Sequence, residues 1–154
     1  MPDAAGSPVL TVLMTVYNGS PYLRTAIDSI LQQTYSDFRF LIIDDASTDD
    51  TVEILSSYDD ERIQLVCLEQ NVGQTAALNI GLRKATTRWI ARMDADDYSA
   101  PTRFEEQMQT LEDDDSISCV GTQVWIFHDN PEVVDSVFAT PVQHDAIKHR
   151  LLRG

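Results

Sequence analysis

Two short strand-like runs in this chain end abruptly in carboxylates, and that constrains the fold more than any other feature. Phe38–Ile43 (FRFLII) runs straight into Asp44-Asp45, and Arg88–Met93 (RWIARM) runs into Asp94-Ala95-Asp96-Asp97. A first run, Val9–Val16 (VLTVLMTV), is β-branched and almost continuously apolar, and it ends at Tyr17-Asn18-Gly19. Near-continuous apolar strands are those buried on both faces, as in parallel sheets covered by helices. Between these runs lie helical patterns. Ser20 and Pro21 stand as N-cap and first helical residue for a helix over 21–33, with Leu23, Ala26, Ile27, Ile30 and Leu31 on one face.

The alternation continues. Ser47 or Asp49 is placed to cap a helix over 50–58, and Ile63–Leu68 is a third strand. Asn71–Gly73 forms a turn before a helix over Thr75–Lys84. Pro101 opens a further helix carrying Phe104, Met108 and Leu111. A long strand is expected over Ile117–Phe127 and another over Val133–Ala139. The capping-box pattern from Thr140 to Gln143 predicts a last helix over 141–152. Four strand–helix repeats with short connections predict an α/β fold, a Rossmann-like, mostly parallel sheet with helices on both faces. The first eight residues read as a flexible lead-in, and 9–154 as one domain.

Charge narrows the partners. There are 11 Lys+Arg against 25 Asp+Glu, a net charge of −14, and the lysines are Lys84 and Lys148 alone. A polyanion is repelled by such a surface, so nucleic acid is excluded as a general partner. Cys67 and Cys119 lie far apart in strand-like runs without zinc spacing, and read as two reduced core thiols. No apolar run is long enough to span a bilayer, and the first eight residues lack a basic segment. The expectation is a cytoplasmic chain, reaching the membrane's cytoplasmic face only through other segments or partners.

In an open parallel sheet, ligands bind beyond the carboxyl ends of the strands, near the point where strand order reverses. The residues following the four strands are therefore the candidate site, and two of those clusters are acidic. Clustered carboxylates repel one another and favour a cation. Asp94-x-Asp96 offers hard oxygen donors suited to Mg²⁺ or Mn²⁺. The chain has no GxxxxGK[ST] phosphate loop, no GxGxxG after the first strand and no GxSxG elbow. His128, His144 and His149 share no strand end with the carboxylates and read as surface or structural.

Taken together, VLMTVYN (residues 12–18), DDASTD (44–49), Asn71-Val72-Gly73 with Ala76 and Asn79, and DADD (94–97) followed by Pro101 resemble the family 2 glycosyltransferases of the GT-A fold. The likeness runs over about 9–152. It implies a nucleotide-sugar site, with a UDP-sugar as donor and a saccharide or lipid-linked hydroxyl as acceptor. Under it, Thr15, Val16 and Tyr17 hold and stack on the base, and Asp45 accepts the imide N–H of uracil, a donor that cytosine lacks. Asn71 and Gly73 allow close approach to the ribose or diphosphate. Asp94 and Ala95 line the donor, and Asp94 and Asp96 hold the metal, Asp96 most directly. Asp97 is a neighbour of less definite role.

The resemblance further implies inverting transfer assisted by a carboxylate base. No residue here matches the family's base motif, and Asp129, Asp135 and Asp145 are not assigned to it. The expectation is a chain that carries the donor half of a transferase and stops short of its acceptor half. A non-catalytic nucleotide-sugar module is the alternative. A sugar nucleotidyltransferase fits less well, because residues 9–20 hold no Lys or Arg. A phospho-acceptor receiver domain is disfavoured because neither lysine lies at a strand end.

Overall fold

A computed structural model describes residues 8–128, 133–138, 140–143 and 145–147. The chain divides into two compact units, residues 1–105 and 106–154.

The first unit is built on strands β1 (Leu10–Val16), β2 (Phe38–Asp44), β3 (Ile63–Cys67) and β4 (Trp89–Asp94). All pairings are parallel and the order is β3-β2-β1-β4. β1 is therefore central, and every one of its seven residues is buried. Between the strands run α1 (Leu23–Leu31), α2 (Thr51–Ser56) and α3 (Gln74–Lys84). α4 (Arg103–Asp113) follows β4.

Alternation along the strands gives the sheet two apolar faces. On one, Leu13, Leu41 and Ile43 pack with Ala77 of α3, and Val66, Leu68 and Leu78 lie against them. α3 returns from β3 at one edge to β4 at the other, so it must cross β2 and β1. Gly81 permits that crossing, because a Cβ there would overlap the Leu13 side chain. The other face carries Val12, Met14, Phe40 and Ile42, all fully buried, with the apolar stripe Leu23, Ala26, Ile27 and Ile30 of α1. Phe104 meets Phe38 edge-on there, ring centroids 5.7 Å apart.

α1 starts at Leu23 rather than Pro21. The Ser20 N–H is donated to Asp49, and the Tyr22 and Leu23 N–H groups both go to the Gly19 carbonyl, so 19–22 form a turn and Ser20 is no N-cap. α2 is entered through Asp49, whose Oδ1 accepts the Thr51 N–H at 3.1 Å. Ser47 is committed elsewhere.

In the second unit, the strand expected over Ile117–Phe127 is reduced to β5 (Val124–Ile126), and residues 117–123 are irregular. The strand expected over Val133–Ala139 is reduced to β6 (Ser136–Phe138). They pair antiparallel with each other as a separate two-stranded sheet. A β-branched run becomes a strand only as far as a neighbour supplies its ladder, and here three residues do. Residues 140–143 are not helical, so the helix does not begin at Pro141; 145–147 are helical, and the rest of the expected terminal helix lies outside the described residues. The Thr140 N–H is taken by Gln123 Oε1 at 2.9 Å instead of a helix start. Cys67 and Cys119 are free as expected but exposed, which corrects their reading as core thiols. Cys67 sits on the edge strand β3, where one neighbour is missing. Among the described residues no helix is long and apolar enough to cross a membrane.

Candidate functional site

The parallel register brings four strand ends level. Val16 pairs with Asp44, Thr15 with Asp94, and Asp44 with Cys67. The order reverses between β1 and β4, so the loops following these two strands flank the switch point. They approach closely: a Cβ on Gly19 would stand 3.9 Å from the Ala95 Cβ and 2.6 Å from Val16 Cγ2. Asp45 and Asp96 thus leave the same edge of the sheet, on either side of β1.

The loop after β2 is a hub. Its Ala46 has φ +61°, a left-handed conformation that a non-glycine residue seldom adopts and that costs about 1–3 kcal/mol. On one side of it, the buried Asp45 accepts the Val72 N–H on Oδ1 and the Gly73 N–H on Oδ2, each at 2.8 Å. The Asp45 N–H in turn goes to the Val16 carbonyl at 2.8 Å. On the other side, Ser47 Oγ accepts the Asn18 N–H at 2.9 Å and Thr51 Oγ1 the Gly19 N–H at 2.9 Å. Asp49 Oδ2 accepts the Ser20 N–H at 3.2 Å, while Asn18 Oδ1 accepts the Thr48 N–H at 2.8 Å. Asn18 itself sits at φ +53°. Hydrogen bonding from Thr51 first, and from Ser20, holds the Asp49 carboxyl down at about 2. Asp44 is buried, with Oδ2 accepting the Ser47 N–H at 3.2 Å and Oδ1 unpartnered.

Thr15 and Val16 are buried, while Tyr17 beyond them is half exposed at 51%. Asn71 is exposed, and Gly73 has φ +85° at the start of α3, which requires glycine. Val72, Gly73, Gln74, Thr75, Ala76 and Asn79 line an open hollow beside it.

At the β4 end, Asp94 is held by Arg92, whose Nη2 lies 2.6 Å from Oδ1 and 2.9 Å from Oδ2. Asp96 is exposed. Burial, and then the charges of Asp94 and Asp96, push the Asp97 carboxyl above its ordinary value, with Arg92 and Arg103 opposing. Burial lowers the Arg103 guanidinium, which donates to the Arg92 carbonyl at 2.9 Å. The donor set is hard oxygen carrying surplus negative charge, which fits Mg²⁺ or Mn²⁺. Among the described residues no group of three or more metal-ligating side chains converges. Of these carboxylates Asp96 is exposed, whereas Asp94 is already paired with Arg92, so an ion there would need water or phosphate oxygens to complete its shell.

The segment after the carboxylates is positioned by a residue that the sequence reading passed over. Gln33, buried just beyond α1, gives its amide protons to the carbonyls of Ala100 (2.7 Å) and Ser29 (3.0 Å). Its Oε1 accepts the Phe104 N–H at 3.1 Å, and Ser29 Oγ accepts the Ser99 N–H at 3.1 Å. The signal was available: Gln33 follows Ile30 at the next apolar position of the α1 stripe. Arg92 was equally readable, two residues before Asp94 and so on the same face of β4. His128, in the second unit, is exposed and bonded to Asp135 Oδ2 at 2.7 Å. His144 and His149 lie outside the described residues.

This edge of loops matches known proteins over nearly the whole chain. Residues 11–150 match the family described as Glycosyl transferase family 2. The chain belongs to that family. It is 35% identical over 130 residues to YibD, an uncharacterized glycosyltransferase of Escherichia coli, covering 83% of this chain and 38% of the relative. It is 36% identical over 106 residues to TuaG of Bacillus subtilis, a glycosyltransferase provisionally assigned to teichuronic acid biosynthesis, covering 68% of this chain and 42% of TuaG. The chain thus spans about two fifths of the length of these curated relatives.

Solved GT-A structures share the fold. A mannosyltransferase of Pyrobaculum calidifontis, solved with GDP-Man and Mn²⁺, superposes with a TM-score of 0.62 and 29% identity, over 72% of this chain and 34% of that one. TarS of S. aureus, solved with UDP, superposes with a TM-score of 0.64 and 24% identity, over 68% of this chain and 32% of TarS. The chain is accordingly a family 2 glycosyltransferase sequence with an α/β, GT-A-type parallel sheet.

Proposed function

We propose that these loops form the donor site of a metal-dependent, inverting glycosyltransferase that takes a UDP-sugar. The observation that carries the reading is the pairing of Asp45 and Asp96 at one sheet edge, on either side of the β1–β4 switch point. Tyr17 stacks on the base. Asp45, with both oxygens already anchored on the 72–73 backbone, retains lone pairs that accept the imide N–H of uracil. Asn71 and Gly73 admit the ribose, and Asp94 and Ala95 line the diphosphate side. Mg²⁺ or Mn²⁺, bound at Asp96 with Asp94, supplies positive charge that stabilises the leaving diphosphate.

A saccharide or lipid-linked hydroxyl attacks the anomeric carbon from the face opposite the nucleotide, so configuration inverts. A carboxylate base removes its proton; none of the residues described above is proposed for that step. GDP-sugar is the second reading, favoured by the GDP-Man bound to the Pyrobaculum relative.

Calorimetry with UDP, CDP and GDP, each with and without Mn²⁺, tests both readings. UDP is expected to bind more tightly than CDP and GDP, and Mn²⁺ to tighten it. Asp96→Asn is expected to abolish the Mn²⁺ effect, because UDP and the ion strengthen each other reciprocally through a shared site. Equal binding of UDP and CDP would sink the Asp45 assignment, and a preference for GDP would install the second reading.

A further inference from the structure

We infer that Ser47, Asp49 and Thr51 are positioning residues for the nucleoside, acting by fixing the 17–20 backbone that presents Tyr17. This inference rests on the donor-site reading. Three consecutive N–H groups, those of Asn18, Gly19 and Ser20, are each taken by a side chain of the neighbouring loop: Ser47 Oγ, Thr51 Oγ1 and Asp49 Oδ2. Consecutive backbone N–H groups in a turn form the concavity that phosphate-binding loops offer to anions. Here that concavity is filled from within the protein. These three backbone N–H groups are therefore not offered to a phosphate, and beside them the loop presents the half-exposed Tyr17 ring.

The brace is reciprocal. Asn18 Oδ1 takes the Thr48 N–H, and Asp49 bridges two segments at once, Ser20 through Oδ2 and Thr51 through Oδ1. Thr51 is fully buried, so the Gly19 N–H ends on a fixed acceptor rather than a mobile surface hydroxyl. The left-handed Ala46 sends the chain in two directions, with Asp45 going to the 72–73 backbone and Ser47–Thr51 to the 18–20 backbone. One eight-residue segment, 44–51, thus sets both walls between which the base lies, and it does so before any ligand arrives. A ring held in place in the free protein loses less entropy when the nucleoside stacks on it.

The diphosphate is held separately, at the β4 end. Loss of the brace is therefore expected to weaken nucleoside binding and leave the binding of Mn²⁺ with pyrophosphate alone.

The test uses the 154-residue chain with Asp49→Asn and Ser47→Ala, two conservative changes that remove different members of the brace. Amide hydrogen exchange is followed at Asn18, Gly19, Ser20 and Thr51, and calorimetry is run with uridine, UDP and Mn²⁺-pyrophosphate below each variant's unfolding temperature. Faster exchange is expected at Asn18 in Ser47→Ala, and at Ser20 or Thr51 in Asp49→Asn, whose single remaining oxygen can accept only one of the two N–H groups. Uridine and UDP affinity should fall about tenfold, with Mn²⁺-pyrophosphate affinity unchanged. Unaltered exchange, or wild-type uridine and UDP affinity in both folded variants, would overturn the inference. A parallel loss of pyrophosphate affinity would overturn it too, since that marks general loosening. Failure of the unsubstituted chain to bind any nucleotide would instead remove the donor-site reading beneath it.

Discussion

Replacing Asp45 by Asn isolates one carboxylate oxygen. In the native chain both oxygens accept backbone N–H groups, from Val72 and Gly73, at 2.8 Å each, and the residue is only 2% exposed. A hydrogen bond to a charged group contributes about 1.5–3 kcal/mol. Asn keeps one oxygen but turns an NH₂ toward the other N–H, so one bond is lost and two donors face each other. Val72 is exposed, and water recovers part of that loss. The net cost is about 2–3 kcal/mol, and at 2–4 °C per kcal/mol for a chain of this length the melting temperature falls by about 4–12 °C. Differential scanning calorimetry reads the fall directly. Titration of the folded variant with UDP and CDP gives a second readout, in which the preference for UDP disappears. A melting temperature within about 1 °C of the native value would refute the claim that this carboxylate holds the 71–73 loop.

Three further outcomes follow from the packing and the charges. Gly81→Val forces a branched side chain into Leu13 at the α3 crossing; overpacking of about 1–3 kcal/mol adds to the lost helix-crossing geometry, and urea unfolding should show a lower midpoint at unchanged slope. Gln33→Leu leaves the buried Phe104 N–H without its partner, at about 1–3 kcal/mol, while the Ala100 carbonyl keeps only the Arg103 N–H, and it should weaken Mn²⁺-UDP coupling as residues 95–100 loosen. The Asp49 carboxyl, held at about 2 against an ordinary 3.8, contributes stability that is complete above pH 4 and is lost as pH falls through 2. Acid titration of urea stability should therefore show the native chain and Asp49→Asn converging between pH 4 and pH 2; a constant gap would contradict the assignment.

β1 and β2 were legible because their burial is written as apolar runs, β1 being buried at every position, while the half-exposed β3 and β4 were legible from their place in the strand–helix alternation. The strand-end carboxylates were legible because a charged pair directly after a buried strand has few places to go. What escaped was carried by pairings between distant segments. Ser47 reads as a helix cap until its partner, Asn18, is known to lie 29 positions back in the chain. The Ile117–Phe127 run has strand chemistry throughout, but only Val124–Ile126 finds a partner. Gln33 looked like the polar end of a helix, whereas its partners Ser99 and Ala100 stand some 66 positions further on. Local pattern reports what a segment prefers, and the acceptor it meets decides which preference is used.

The place of β1 in the sheet has a consequence during synthesis. β1 is made before the other three strands of its sheet, yet one of its two neighbours, β4, ends only at Asp94. Until that residue has left the ribosome, β1 presents an open edge: a seven-residue LTVLMTV ladder without a charge or a proline. Such a segment pairs readily with another copy of itself. Nascent chains halted between Asp44 and Asp94 should thus be the aggregating species, and a pause in translation over that stretch should lower the soluble yield more than the same pause placed after β4.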